Sequence, residues 1–193
     1  MIHSTAIVDI ELDPTSNVWA YAHVLSGARI GKRVNIGDHA FVEGGASIGD
    51  NCTIKNYVCI WNGVSVEADV FVGPRVTFTN DKHPRSPRMP SAQARYETVT
   101  NWLETTLVRK GCSIGAAATI CPGIELGRYS MVAAGAVVTR HVADFALVAG
   151  VPAVQIGWVC SCGQRLSDRF DIAICSHCGE TPSDREAKAN ISD

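Results

Sequence analysis

VWAYAHVLSGARIGKRVNIGDHAFVEGGASIGDNCTIKNYVCIWNGVSVEADVFVGPRVTF, residues 18–78, is the stretch that decides the fold. An aliphatic or aromatic residue returns there at every sixth position: Val18, Val24, Ile30, Ile36, Val42, Ile48, Ile54, Ile60, Val66, Val72 and Phe78. Four residues after each member stands another small or apolar residue, from Ala22, Ala28 and Val34 through Cys52 to Val76. A period of six is neither the helical period nor the alternation of a half-buried strand. It marks a parallel β-helix, an all-β solenoid of very short strands.

Working outward, residues 1–17 read as an imperfect entry, with Pro14 and Asn17 interrupting the pattern as a capping coil does. Within the rod, Gly31, Gly37, Gly49 and Gly73 follow aliphatic positions, where glycine is expected to supply the backbone angles of tight corners. The period stops at Phe78. Residues 79–107 hold Pro84, Pro87 and Pro90, which cannot donate to a ladder, and are expected to project as a loop. The hexads resume at Val108, Ile114, Ile120, Leu126, Val132 and Val138. The runs at 115–119 and 132–137 present almost no side chain, which suits either a long thin ligand or a tight corner. Gly150 and Pro152 then mark a turn where the chain reverses or crosses the rod.

The chain has 193 residues, 46% of them apolar and 19% charged, with a net charge of -2 that points to neither a nucleic acid nor a membrane surface. Its first residues show no basic and apolar leader pattern, so a cytoplasmic location is expected. There the eight cysteines are expected as thiols or metal ligands. Cys160, Cys162, Cys175 and Cys178 form two close pairs, each followed by glycine, and read as the knuckles of one structural Zn²⁺ site of Cys₄ type. Cys52, Cys59, Cys112 and Cys121 have no paired spacing and read as rod residues. The expected organisation is a rod domain over 1–157, a zinc-ribbon-like tail over 158–180 and a frayed polar end over 181–193.

These hexads resemble the left-handed β-helix acyltransferases, over about residues 18–143. Within them, residues 53–86, with FTND and PR between Phe78 and Arg85, and the GVPA run from Gly150 to Ala153 look like the nucleotide-sugar N-acetyltransferases. The resemblance implies a left-handed parallel β-helix with eighteen residues per triangular coil. It implies a homotrimer with sites between subunits and transfer of acetyl from acetyl-CoA to the 3-amino group of a dTDP- or UDP-linked amino sugar. Eighteen-residue coils would set Asn62 below Asn80 and Ala116 below Ala134.

Carried onto this chain, Asn80 matches the residue at the sugar amine. Asn62 stands where relatives usually have an acid, and His83 is a candidate base, although an exposed or phosphate-touching role suits it as well. Lys55, Asp81, Lys82 and Arg85 are candidates for the sugar nucleotide, and Lys110, Gly115, Ala116, Ala134 and Arg140 for CoA. Two other readings compete. A γ-type carbonic anhydrase needs metal-binding histidines close in sequence, and His3, His23, His39, His83, His141 and His177 include no close pair. A non-catalytic scaffold leaves the long insert unexplained.

Overall fold

The computed structural model describes residues 1–167 and 170–190. The hexads form strands of two or three residues, gathered into three sheets that make the faces of a prism. The first face stacks Asn17–Val18, Asn35–Ile36, Thr53–Ile54, Phe71–Val72, Ser113–Ile114 and Met131–Val132, all parallel. The second stacks Ile7–Val8, His23–Val24, Phe41–Val42, Cys59–Ile60, Thr77–Phe78, Thr119–Ile120 and Val137–Val138. The third stacks Arg29–Ile30, Ser47–Ile48, Val64–Val66, Thr106–Val108 and Glu125–Leu126. Strands of one face lie about 4.8 Å apart, so the rod is roughly 30 Å tall.

Alternation explains the core. Each two-residue strand turns its second side chain inward, and Val18, Val24, Ile36, Val42, Ile54, Ile60, Val72, Phe78, Ile114 and Ile120 are each at most 1% exposed. Burial of a side chain of this size stabilises by about 1.5–3 kcal/mol. Every coil therefore adds a layer of aliphatic contacts to the layer below.

The corners divide into two kinds. Between the first and second faces the turning residue is Tyr21, His39, Tyr57, Arg75 or Ala117, with φ near +60° (58° to 62°), and in the last coil Gly135, at 71°. Between the third and first faces it is Arg33, Asn51, Asp69 or Tyr129, likewise left-handed, and once Gly111, at 70°. Between the second and third faces it is glycine: Gly27, Gly45, Gly63 and Gly123, with φ from 77° to 89°. This third corner is stripped of side chains at the turn, and the insert springs from it.

The glycines expected to supply permissive angles act differently. Gly31, Gly37, Gly49 and Gly73 are not in the left-handed region; their constraint is the next coil. A Cβ on Gly31 would lie 2.8 Å from the Asp50 nitrogen, and one on Gly73 would lie 2.7 Å from the Ile114 oxygen. Coil stacking, not backbone angle, excludes a side chain there.

The insert contains a short helix, Gln93–Tyr96, and a 3-10 turn, Val99–Asn101. An antiparallel bridge between Asp81 and Leu103 ties its ends together. The third face resumes with Thr106–Val108, two residues inside the expected loop, because that strand pairs with Val64–Val66. At the far end, Ala146–Ala149 extends the first face, and Val154–Trp158 returns antiparallel beside it after the turn at Gly150 and Pro152.

Fraying of the segment after residue 180 does not hold for residues 182–189. They form the helix Pro182–Ala189, capped by Thr181 and Asp184 in a reciprocal capping box. Arg185 on this helix is fully buried. Its guanidinium donates to the carbonyls of Glu180, Phe170 and Ala173 and lies 4.9 Å from the Phe170 ring centre. Residues 191–193 fall outside the described residues. No helix among the described residues is long and apolar enough to cross a membrane.

Candidate active site

The eighteen-residue stacking places Asn80 directly above Asn62. The Asn80 side-chain amide donates to the Asn62 carbonyl at 3.1 Å, and the Asn80 carbonyl accepts from the Glu104 N–H at 2.9 Å. Asn80 Oδ1 accepts no hydrogen bond among the described residues. Below, the Asn62 N–H donates to a Glu43 carboxylate oxygen at 2.8 Å. Trp61 fixes the same corner: its indole N–H donates to the Phe78 carbonyl at 3.0 Å, and its ring lies 5.5 Å from that of Phe41. A carboxylate thus stands beside Asn62 after all, supplied by Glu43 from the coil beneath.

Directly above Asn80 opens a cavity of 640 Å³ lined by Lys82, Cys121, Pro122, Gly123, Ile124, Thr139, Arg140 and His141. Gly123 and the absence of a Cβ there keep it open, since such an atom would lie 3.1 Å from a Glu104 carboxylate oxygen. The His141 Nδ1 accepts the Glu125 N–H at 2.9 Å. The ring proton of the neutral imidazole therefore sits on Nε2, which makes His141 a hydrogen-bond donor to whatever faces that nitrogen.

Asp81 organises the insert. Its carboxylate accepts from the Tyr96 hydroxyl at 2.7 Å, the His83 N–H at 2.9 Å and the Arg95 guanidinium at 2.5 Å. Burial alone would push its pKa up; the bonds from Tyr96, His83 and Arg95 outweigh that and hold it below the usual carboxylate range. Arg85 is also engaged locally, its N–H on the Tyr96 hydroxyl at 2.8 Å and its guanidinium on the Pro84 carbonyl at 2.9 Å. The His83 side chain is exposed at the loop surface.

The expected CoA residues do not converge within one chain. Gly115, Ala116 and Ala134 lie at the corner between the first and second faces. Gly115 and Ala134, with Phe71, Met131 and Ala133, line an apolar groove of 360 Å³. The bareness of Gly115 has a packing cause, since its Cβ would meet the Ala134 nitrogen at 2.4 Å. Lys110 lies at the third-to-first corner, where its N–H donates to Glu67 at 2.8 Å, and Arg140 lines the cavity above Asn80. Lys55 is also at the first-to-second corner, across the second face from Asn80.

In the tail, the sulfurs of Cys160, Cys162, Cys175 and Cys178 all lie within 4.8 Å of one another. Cys160 and Cys178 lie 3.4 Å apart, and Cys162 and Cys175 3.7 Å apart. Tetrahedral Zn²⁺ with Zn–S bonds of about 2.3 Å separates its sulfurs by roughly 3.8 Å. The four thiols fit such an ion. Backbone hydrogen bonds, first from the Cys178 N–H, lower the Cys175 thiol to about 6, whereas burial and the bond to the Glu180 carboxylate push the Cys160 thiol up.

The fold and the hexads define a parallel β-solenoid built of six-residue repeats. The family model described as the hexapeptide repeat of succinyl-transferase matches residues 27–60 and 110–140. Among curated proteins, the chain is 47% identical over 75 residues to a dTDP-3-amino-3,6-dideoxy-alpha-D-galactopyranose 3-N-acetyltransferase of Aneurinibacillus thermoaerophilus, covering 39% of this chain and 38% of that protein. It is 28% identical over 92 residues to a galactoside O-acetyltransferase of Lactococcus lactis, covering 45% of this chain and 42% of that one. The chain thus spans well under half the length of these curated relatives. Its fold matches the GDP-perosamine N-acetyltransferase of Caulobacter crescentus, solved with CoA and GDP-perosamine, at a TM-score of 0.60 and 22% identity over 74% of this chain and 56% of that one. It also matches the acetyltransferase domain of PglB from Neisseria gonorrhoeae with acetyl coenzyme A, at 0.56 and 18% over 80% and 56%.

Proposed function

We propose that the chain transfers an acetyl group from acetyl-CoA to the 3-amino group of a dTDP- or UDP-linked amino sugar. The observation that carries this reading is Asn80: its amide is braced on the Asn62 carbonyl while its Oδ1 accepts no hydrogen bond among the described residues, one coil below the Pro122 that lines the cavity. An open carbonyl oxygen there accepts an N–H of the amine and aims the nitrogen lone pair at the thioester, a contribution of orientation. The amine nitrogen bonds to the acetyl carbon, the C–S bond breaks, the thiolate takes up a proton and the former ammonium proton leaves to solvent. His141, with its proton fixed on Nε2, does not serve as the base in its neutral form. Glu43 bears on the amine through Asn62.

The acetyl donor's arm suits the apolar groove at Gly115 and Ala134, one face away from Asn80. A homotrimer that sets the groove of one rod against the glycine corner of its neighbour joins the two halves, and the same contact brings Lys55 toward the site. Zn²⁺ held by Cys160, Cys162, Cys175 and Cys178 closes the tail as a structural ion with no open position. The test is thiol release from acetyl-CoA across a panel of 3-amino, 4-amino and hydroxyl nucleotide sugars. Release confined to 3-amino acceptors supports the proposal; release with none of them refutes it.

A further inference from the structure

We infer that Lys82, Arg140 and His141 form one anion subsite that takes the diphosphate of the acceptor and not the phosphates of CoA, an inference that rests on the proposed acceptor. All three line the cavity above Asn80. Neither Lys82 nor Arg140 forms an ion pair among the described residues. Two cations with no ion-pair partner among the described residues in one concave site, beside a histidine whose tautomer makes it a donor, are complementary to a phosphate.

The neighbouring groups of the same corner have the opposite character. Glu104 stands over Gly123, and its N–H holds the Asn80 carbonyl at 2.9 Å. Asn80 Oδ1 adds an open acceptor. The corner is therefore bipolar, with acceptors at Asn80 and beside Gly123 and cations from Lys82 and Arg140 on the cavity wall. A nucleoside diphosphate amino sugar is bipolar in the same sense, with its ammonium and its diphosphate at opposite sides of one sugar ring.

Dimensions separate the two sources of phosphate. Asn80 and Arg140 are two coils apart, roughly 10 Å at the spacing of stacked strands. Long side chains shorten that gap to the width of a sugar. In CoA the thioester and the diphosphate are separated by the pantetheine arm, roughly 15 Å when extended like a peptide of similar length. With the thioester at the amine, the CoA diphosphate falls beyond the cavity.

The experiment is calorimetric titration of the full chain with UDP, dTDP and CoA, in wild type, Arg140→Ala, Lys82→Ala and Arg140→Lys, with thermal unfolding as the control for folding. Both alanine variants are expected to raise the Kd of the nucleoside diphosphate about tenfold or more, the size of one charge-assisted hydrogen bond, while the Kd of CoA stays within about twofold. Arg140→Lys should recover part of the loss. The inference is overturned if wild type binds neither nucleoside diphosphate, if the alanine variants bind it as wild type does, or if CoA binding falls instead. Acetyl transfer is read separately by thiol release, so an enzyme that acetylates 3-amino sugars with undiminished diphosphate affinity in Arg140→Ala refutes the subsite alone.

Discussion

Replacing Asp81 by alanine should open the insert without unfolding the rod. Its carboxylate is 11% exposed and bonds Tyr96, the His83 amide and Arg95, whose own side chain is 27% exposed. Removing one partner of a buried ion pair costs about 3–5 kcal/mol, and the partial hydration of Arg95 places this case near the lower end, about 3 kcal/mol. Since 1.4 kcal/mol is tenfold, the open form of the loop should rise about a hundredfold. Trypsin reads this directly, because Lys82, Arg85, Arg88 and Arg95 all lie in the insert. Where opening is fast relative to cleavage, the cutting rate follows the open population. We expect cleavage about a hundredfold faster than wild type, with a Tm that changes little, because the aliphatic layers are untouched. Unchanged cleavage would refute the role given to Asp81, as would a large fall in Tm. The depressed pKa sets the pH dependence. The stabilisation is complete above the ordinary carboxylate pKa and is lost only as the pH falls through the lowered folded value. Hydrogen exchange at the His83 amide should stay slow through the range where ordinary carboxylates protonate and quicken below it.

Gly115→Ala should destabilise by about 1–3 kcal/mol through overpacking, because its Cβ meets the Ala134 nitrogen at 2.4 Å. Gly135→Ala meets nothing within 4 Å, so it should cost only the left-handed backbone penalty of about 1–2 kcal/mol; chemical denaturation measures both losses, and a negligible effect of Gly115→Ala would contradict the coil spacing. Elemental analysis should find one zinc per chain, and chelation should change Trp158 fluorescence, since that ring lies 4.6 Å from Phe170 in the tail, while the far-UV signal of the rod persists. Among the four rod cysteines, alkylation of the native protein followed by mass spectrometry should mark Cys121 first, because it lines the cavity, whereas burial pushes Cys52 and Cys112 up to about 11 and about 12.

The period of six made the rod legible because interior positions recur wherever a coil turns. The eighteen-residue coil then located Asn62 beneath Asn80, and the same count reaches Glu43 beneath Trp61, one residue from the Asn62 it supports. Glu104 was illegible because the insert breaks the register before it. The roles of Gly31 and Gly73 were misread because glycine serves both open backbone angles and close stacking, and composition alone does not separate the two. Lys55 was assigned to the sugar nucleotide, and Lys110 and Arg140 to CoA, yet within one chain the hexads put each at a different corner from its intended partners. The polar sequence after residue 180 concealed a helix whose start was written in Thr181 and Asp184.

The central claim is that Asn80 orients a sugar amine for acetyl transfer at the glycine corner. Its most direct test is reaction with carbon-13 acetyl-CoA and a dTDP- or UDP-linked 3-amino sugar, with the product followed by NMR, in wild type and Asn80→Ala. The account predicts a labelled amide at the C3 nitrogen, formed by wild type and slowed by about 10²-fold or more in the variant, the order expected of a lost orienting contact. A labelled ester, no labelled product, or an Asn80→Ala enzyme as fast as wild type would contradict it.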